Sequence, residues 1–115
     1  MKILVIVNVS PWGGSLAVTA LRLVRAMLGR GHEIAAVYFR EEGAYHALAG
    51  RAGDSGTPVL RDAWLDLYRE HGVPLLLCSS AAQRRLEQAP GDGFREAGLA
   101  EVLEMMQDSD RLVTF

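Results

Sequence analysis

The sequence predicts an α/β fold of three layers, with helices on both faces of a mainly parallel sheet of four to five strands. Two observations lead to this prediction. Short aliphatic and β-branched runs recur along the chain, and stretches with apolar residues at helical spacing separate them. With 115 residues, half of them hydrophobic, the chain is expected to form one domain over residues 1–115, without help from disulfides or metal.

The first strand and helix are the clearest elements. Residues 3–7 form an uninterrupted aliphatic run, which is the pattern of a strand buried on both faces of a parallel sheet. A helix follows, with Ser15 as its candidate N-cap and an apolar stripe behind it. Gly29 and Gly31 are expected to end this helix, because glycine readily adopts the left-handed conformation found at helix C-termini.

The middle of the chain predicts two further strands and one helix. Residues 33–39 read as the second strand, and residues 40–58 as a glycine-rich connection with one helical turn near 45–49. Asp62 is a candidate cap for a helix that reaches residue 70. Residues 73–78 form the third buried strand. The buried stripe of the helix is predicted to be Ala63, Trp64, Leu67 and Tyr68.

The last third of the chain predicts two helices around a turn, followed by a strand. The helices cover about 79–88 and 98–107, the turn covers 89–93, and the strand covers 111–115. These segments bring the predicted count to four strands and four helices. The apolar stripe of the last helix is predicted to be Leu99, Val102, Leu103 and Met106.

Composition and charge argue against several classes of function. The net charge is −2 and no basic stripe is present, so any nucleic acid is expected to be reached only through another protein. Three histidines and one cysteine show no metal-ligand spacing, and a single cysteine makes no internal disulfide. The opening apolar run is too short for a signal peptide, and no run approaches membrane-spanning length. We therefore expect a soluble, cytoplasmic protein without membrane contact.

Cys78 is the strongest candidate for a catalytic residue. Ligands bind open parallel sheets at the carboxyl ends of strands, and Cys78 ends a buried strand directly before a predicted helix. The partial positive charge and free N–H groups of a helix N-terminus favour the thiolate. Ser79 and Ser80 are candidates to hydrogen-bond the sulfur, although a serine at this position is also a common N-cap. A free cysteine is also commonly a small buried hydrophobe, so a purely structural role stays open.

Two other segments follow strand ends, at residues 10–15 and 40–43. The first occupies the place of a phosphate-binding loop but matches neither G-x-G-x-x-G nor G-x-x-x-x-G-K-[ST]. We therefore predict no cofactor, with flavin or nucleotide binding as a minor alternative. Trp12, Gly13 and Gly43 from these segments, together with Ser79 and Ser80, are predicted to contact a substrate or partner protein. Arg84 and Arg85 are expected to be solvated or at an interface.

Four segments together resemble the DsrE/TusD family of sulfur-relay proteins over almost the whole chain. Their order and spacing carry the resemblance, with the cysteine at the end of the third strand. Arg40 is a departure, because the family commonly has an aromatic residue there. The segments are the first strand and helix ending in Gly31-His32-Glu33, the stretch 37–43, the strand ending in Cys78 with Ala81, Ala82, Arg84 and Arg85 after it, and residues 98–115.

The resemblance implies a flavodoxin-like, DsrE-like fold and a sulfurtransferase that carries a persulfide on Cys78 between donor and acceptor proteins. It also implies a heterohexamer with two related small subunits, TusB/TusC-like or DsrF/DsrH-like. The TusD branch serves 2-thiouridine at the tRNA wobble position, and the DsrE branch serves dissimilatory sulfur oxidation. A non-catalytic interaction subunit, with Trp12, Trp64 and Tyr68 exposed at an interface, is the remaining alternative.

Overall fold

A computed structural model describes residues 1–12, 14–48, 60–86 and 90–115. The predictions for Gly13, for 49–59 and for 87–89 lie outside the described residues. The strands are β1 (Lys2–Val7), β2 (Glu33–Phe39), β3 (Leu75–Cys78), β4 (Phe94–Ala97) and β5 (Arg111–Thr114). The helices are α1 (Leu16–Gly29), α2 (Leu60–His71), α3 (Ser79–Arg85) and α4 (Leu99–Asp108), with a 3₁₀ helix over Glu41–Ala47.

The five described strands form one sheet in the order β4-β3-β2-β1-β5, and every pairing is parallel. Helices α1 and α2 pack on one face, where alternate residues such as Val5 and Phe39 join the larger core cluster. Helix α4 packs on the other face, against Leu4 and Ile6 through Val102. Because β1 is covered on both sides, its run is apolar without alternation. The predicted three-layer α/β architecture is confirmed.

Five strands agree with the predicted sheet of four to five, but the reading of individual elements counts only four because it misses β4. This strand pairs with β3 at the edge of the sheet, and only Phe94 and Ala97 of its four residues are buried. Arg95 and Glu96 between them are exposed, so the segment has neither a continuous apolar run nor strict alternation. An edge strand of this length is specified by its neighbour more than by its own sequence.

Most other boundaries agree with the prediction to within a few residues, with two corrections in α2. This helix begins at Leu60, so Asp62 lies within its first turn and is not its cap. Tyr68 is 44% exposed, whereas Trp64 and Leu67 are buried as predicted. Full burial of Trp64 also removes it from the predicted set of exposed interface residues. Ser15 occupies the N-cap of α1 as predicted, but its side chain makes no capping hydrogen bond.

The predicted stripe of α4 is only partly buried. Val102 is in the core and Met106 is half-buried, but Leu99 and Leu103 are 70% and 48% exposed. The amphipathic pattern therefore covers a wider arc than the contact with the sheet. Among the described residues, no helix combines the length and apolarity needed to cross a membrane.

Candidate active site

Cys78 is the last residue of β3 and the residue that caps α3. Its free thiol is half-buried and packs on the α4 side of the sheet, beside Tyr38 and Leu76. The strand holds the backbone rigidly and the following helix turns it away, which leaves the sulfur at the sheet's carboxyl edge. A nucleophile in this position is fixed in place and still reachable from outside.

Hydrogen-bond donors from two elements converge on this sulfur. The backbone N–H groups of Ala81 and Ser80 lie in the first turn of α3 and lower the pKa of the thiol, although the Cys78 side chain makes no regular capping hydrogen bond. The hydroxyl of Tyr38 approaches from β2. The guanidinium of Arg40, one residue past the end of β2, adds a positive charge.

These groups decide the protonation of Cys78. Burial on its own raises the pKa of the thiol, but the N–H of Ala81, the hydroxyl of Tyr38, the N–H of Ser80 and the charge of Arg40 each lower it. The net effect is a pKa below the ordinary value. Because the thiolate is the nucleophilic form, the site favours the reactive state of the sulfur.

Tyr38 reaches Cys78 because of the register between β2 and β3. Tyr38 pairs with Leu76, and Cys78 lies two residues beyond Leu76 on the same face of the sheet. Burial, followed by the hydrogen bond to Cys78 and the charge of Cys78, raises the pKa of Tyr38 to about 12. The phenol therefore stays protonated at neutral pH and is available as a donor.

The serines act differently from the prediction. The hydroxyl of Ser79 donates to the backbone carbonyl of Ala97 at 3.3 Å, so its predicted bond to the sulfur is wrong. This bond ties the start of α3 to the end of β4. Ser80 does contribute to the thiol site, through its backbone N–H. Neither serine is the N-cap of α3, since Cys78 occupies that position.

Trp12 lies in the loop that follows β1, five residues past Val7. Its ring packs 5.3 Å from the ring of Tyr45, and it lines an open cavity of about 260 Å³ together with Asn8, Ser10 and Glu42. Within the described residues, Oδ1 of Asn8 is buried without a hydrogen-bond partner. The predicted contact of Trp12 with a substrate or partner stays a prediction, and Gly13 lies outside the described residues.

Gly43 is buried in the 3₁₀ helix, directly against the end of β1. A Cβ at this position would collide with the backbone carbonyl of Val7. The same carbonyl accepts a hydrogen bond from the N–H of Arg40 at 2.9 Å. Packing alone therefore requires glycine here, and its predicted contact with a substrate or partner stays a prediction.

Arg85 does not supply charge to the thiol. Its guanidinium lies 5.7 Å from the ring centre of Tyr45 and 3.8 Å from the carboxylate of Glu41. Arg84 is exposed. Exposure of Arg84 agrees with the expectation of a solvated side chain, and the expected interface of the two arginines stays a prediction. Arg40 is the cation that acts on Cys78, although the sequence marks it only as a departure from the family.

A buried histidine supports the 3₁₀ helix. Nε2 of His46 lies 3.0 Å from the carbonyl of Val9, and Nδ1 accepts a hydrogen bond from the indole N–H of Trp64 at 3.2 Å. His46 therefore donates from Nε2 as the neutral tautomer. Burial lowers its pKa to about 4, against a smaller opposing effect of the Val9 carbonyl. No local sequence pattern distinguishes this histidine from the others.

Across 1–12, 14–48, 60–86 and 90–115, no three His, Cys, Asp or Glu residues are grouped closely enough to hold a metal ion. The chemistry that the described site offers is that of a single activated thiol. Such a thiol attacks electrophilic sulfur or carbon and later serves as a leaving group.

All of residues 1–115 match the DsrE/DsrF-like family. The chain belongs to this family. Among curated DsrE/DsrF-like relatives, the protein named sulfurtransferase TusD from Salmonella arizonae is 34% identical over 130 residues, with both chains covered in full. The protein named sulfurtransferase TusD homolog from Vibrio vulnificus is 30% identical over 128 residues, covering 100% of this chain and 98% of its own.

The DsrE/DsrF-like fold is also seen in a solved structure. The crystal structure of the ychN protein from E. coli superposes with a TM-score of 0.86, covering 100% of this chain and 99% of its own. At 21% identity, this likeness concerns the fold alone. The resemblance drawn from the four sequence segments is confirmed.

Proposed function

We propose that this chain is a sulfurtransferase that takes up sulfur as a persulfide on Cys78 and passes it to an acceptor protein. The names of the relatives support the sulfurtransferase activity. The observation that supports the role of Cys78 is its half-buried position between the end of β3 and the start of α3, where Ala81, Tyr38, Ser80 and Arg40 lower its pKa. The same arrangement argues against a cysteine that only fills space.

Uptake is a thiol exchange on a sulfane sulfur. The Cys78 thiolate attacks the outer sulfur of the donor's persulfide, R–S–SH. A new S–S bond forms at Sγ, the donor's S–S bond breaks, and the donor cysteine leaves as a thiolate. No oxidant is consumed, because one sulfane sulfur changes carrier. Delivery repeats the exchange, with an acceptor thiolate attacking the outer sulfur and Cys78 leaving.

We further propose that the chain works in the cytoplasmic relay for 2-thiouridine at the tRNA wobble position, since the curated relatives carry the name TusD. It would contact donor and acceptor proteins without touching nucleic acid itself. A DsrE-type subunit in dissimilatory sulfur oxidation is the alternative within the same family.

Assembly with two related small subunits in a heterohexamer is part of the proposal. One helix with its side chains is about 10–12 Å wide, whereas five strands span about 19 Å, so α4 alone leaves part of its sheet face uncovered. Leu112 pairs with Leu4, which faces α4, and Leu112 is 50% exposed. Together with Leu99 and Leu103 on α4 it offers apolar surface for a related subunit.

Intact-mass analysis tests the carrier role. The wild-type chain is incubated with a persulfidated donor protein and compared with Cys78→Ala. The wild type should gain the mass of one sulfur atom, and the variant should gain none, because Cys78 is the only cysteine in the sequence. Equal loading of the two proteins would refute the proposal. Circular dichroism shows whether Cys78→Ala is folded. If it is, the loss of sulfur loading is due to the missing thiol.

A further inference from the structure

We propose that Tyr38 is a catalytic residue of this site, whose hydroxyl donates a hydrogen bond to Sγ of Cys78 as that sulfur becomes an anion. We infer that it promotes delivery of sulfur to the acceptor more than uptake from the donor. The direction of this effect rests on the proposed carrier function. The contact between Tyr38 and Cys78 itself does not.

The sheet fixes the placement of Tyr38. Its backbone is held in a central strand paired on both sides, and its register partner Leu76 lies on β3, two residues before Cys78. Both side chains therefore extend from the same face of adjacent strands, toward the carboxyl edge. A residue on a loop would be free to swing away, whereas this hydroxyl has little room to move.

Burial of Tyr38 indicates that its hydroxyl has a hydrogen-bond partner. The residue is only 4% exposed and lies in an otherwise apolar cluster with Leu76, Ala97 and Val102. A buried phenol without a partner is costly, and phenylalanine would fill the same space at no such cost. The register of β2 with β3 and the shared cluster place Cys78 beside this ring, and each of the two groups shifts the pKa of the other in the direction that a hydrogen bond between them would give. The extra oxygen therefore lies where it acts on the reactive sulfur.

A hydrogen bond to Sγ affects sulfur delivery and sulfur uptake to different extents. During delivery, an acceptor thiolate forms a bond to the outer sulfur, the Sγ–S bond breaks, and its electron pair leaves on Sγ. A donor at Sγ stabilises this leaving thiolate and speeds the step. During uptake, the same hydrogen bond increases the thiolate fraction but makes each thiolate less nucleophilic. The two effects oppose each other, so uptake gains less.

Tyr38→Phe tests this proposal, with Tyr68→Phe on α2 as the matched control. Iodoacetamide alkylation first gives the pH at which each protein reaches its plateau rate, where the thiolate fraction is the same. At one pH at which all the proteins have reached this plateau, uptake from sodium polysulfide and delivery from the loaded protein to glutathione are followed by intact mass. For Tyr38→Phe, delivery should be about three- to tenfold slower and uptake unchanged or faster. Tyr68→Phe should match the wild type in both.

Equal slowing of both half-reactions, or no change in delivery, would overturn the proposal. A merely structural role of Tyr38 would not slow delivery while leaving uptake unchanged or faster. The alkylation profile adds a readout that needs no persulfide, since its midpoint should move to higher pH in Tyr38→Phe. If the wild type does not load at all, the carrier function fails. An unmoved midpoint would then reject the Tyr38 contact separately.

Discussion

The carboxyl ends of β1 and β3 lie at the same edge of the sheet, with only β2 between them, yet they differ in what their polar groups do. After β3, donors from α3 and β2 converge on the one ionisable sulfur of Cys78. After β1, the carbonyl of Val9 is closed off by His46, which is itself held by Trp64. Strand-end position alone therefore does not identify an active site. Groups that act on a nucleophile and stabilise its negative charge do.

The largest predicted effect concerns the region after β1, where His46 should make the stability of the fold depend on pH. The pKa of His46 is about 4 in the folded chain, against roughly 6.5 when unfolded. The unfolded state therefore binds the extra proton between these values. The stability contribution is complete above pH 6.5 and is lost as pH falls toward 4. About 3 kcal/mol of the free energy of unfolding should disappear over this window.

Urea unfolding between pH 7.5 and pH 4, at intervals of about half a unit, measures this loss. His46→Gln is the control, because its amide can accept from Trp64 and donate to Val9 without titrating in this range. The variant should be less stable at pH 7 but should lose less stability on acidification. Parallel pH profiles for the two proteins would show that His46 is not the responsible group.

The second effect concerns the contact between the 3₁₀ helix and the end of β1. Gly43→Ala places a methyl group against the carbonyl of Val7, so the backbone must shift, at a cost of about 2 kcal/mol. Gly29→Ala is the matched control, because a Cβ there meets nothing within 4 Å. It should be neutral or slightly stabilising, since it only removes freedom from the unfolded chain.

Thermal unfolding and sulfur loading of Gly43→Ala distinguish packing from recognition. On the packing interpretation, stability falls while each folded molecule still loads one sulfur. A variant with unchanged stability but lost transfer to its acceptor would instead support the predicted contact of Gly43 with a substrate or partner. The same comparison for Gly29→Ala should show neither change.

The sequence was sufficient to predict those elements whose own apolar residues indicate which side is buried. The aliphatic run of β1, the helical spacing of α1 and the strand ending at Cys78 each carry a local signal of burial. Strand β4 carries none, since it is recruited at the sheet edge by pairing with β3. The position of the nucleophile was predictable for the same reason, because it depends only on a strand followed by a helix.

The surroundings of Cys78 were not predictable, because they depend on register between strands. Tyr38 lies 40 positions before Cys78 and comes next to it only through the pairing of β2 with β3. Arg40 appears in the sequence as part of a charged loop, and its action on the thiol follows from the end of β2. Ser79 failed in the opposite way, since its hydroxyl is taken by the carbonyl of Ala97.

The smallest predicted effect compares two arginines that lie near the site but act on different partners. Arg40→Gln removes the positive charge that lowers the pKa of Cys78, so alkylation at pH 7 and low salt should slow by about twofold. Added salt should abolish the difference, because Arg40 is exposed and its field is screened. The midpoint of the alkylation profile should move to higher pH.

Arg85→Gln makes the same chemical change on α3, where the guanidinium contacts Tyr45 and Glu41 instead of the sulfur. It should leave the alkylation rate of Cys78 unchanged at every salt concentration. Its expected cost is about 0.5 kcal/mol of stability, from a partly exposed ring contact and a long ion pair. Equal slowing by the two variants would mean that the thiol senses only the general positive field of this edge. A response confined to Arg40→Gln would mean that Tyr38 on β2 and Arg40 directly after it tune the nucleophile at the end of β3.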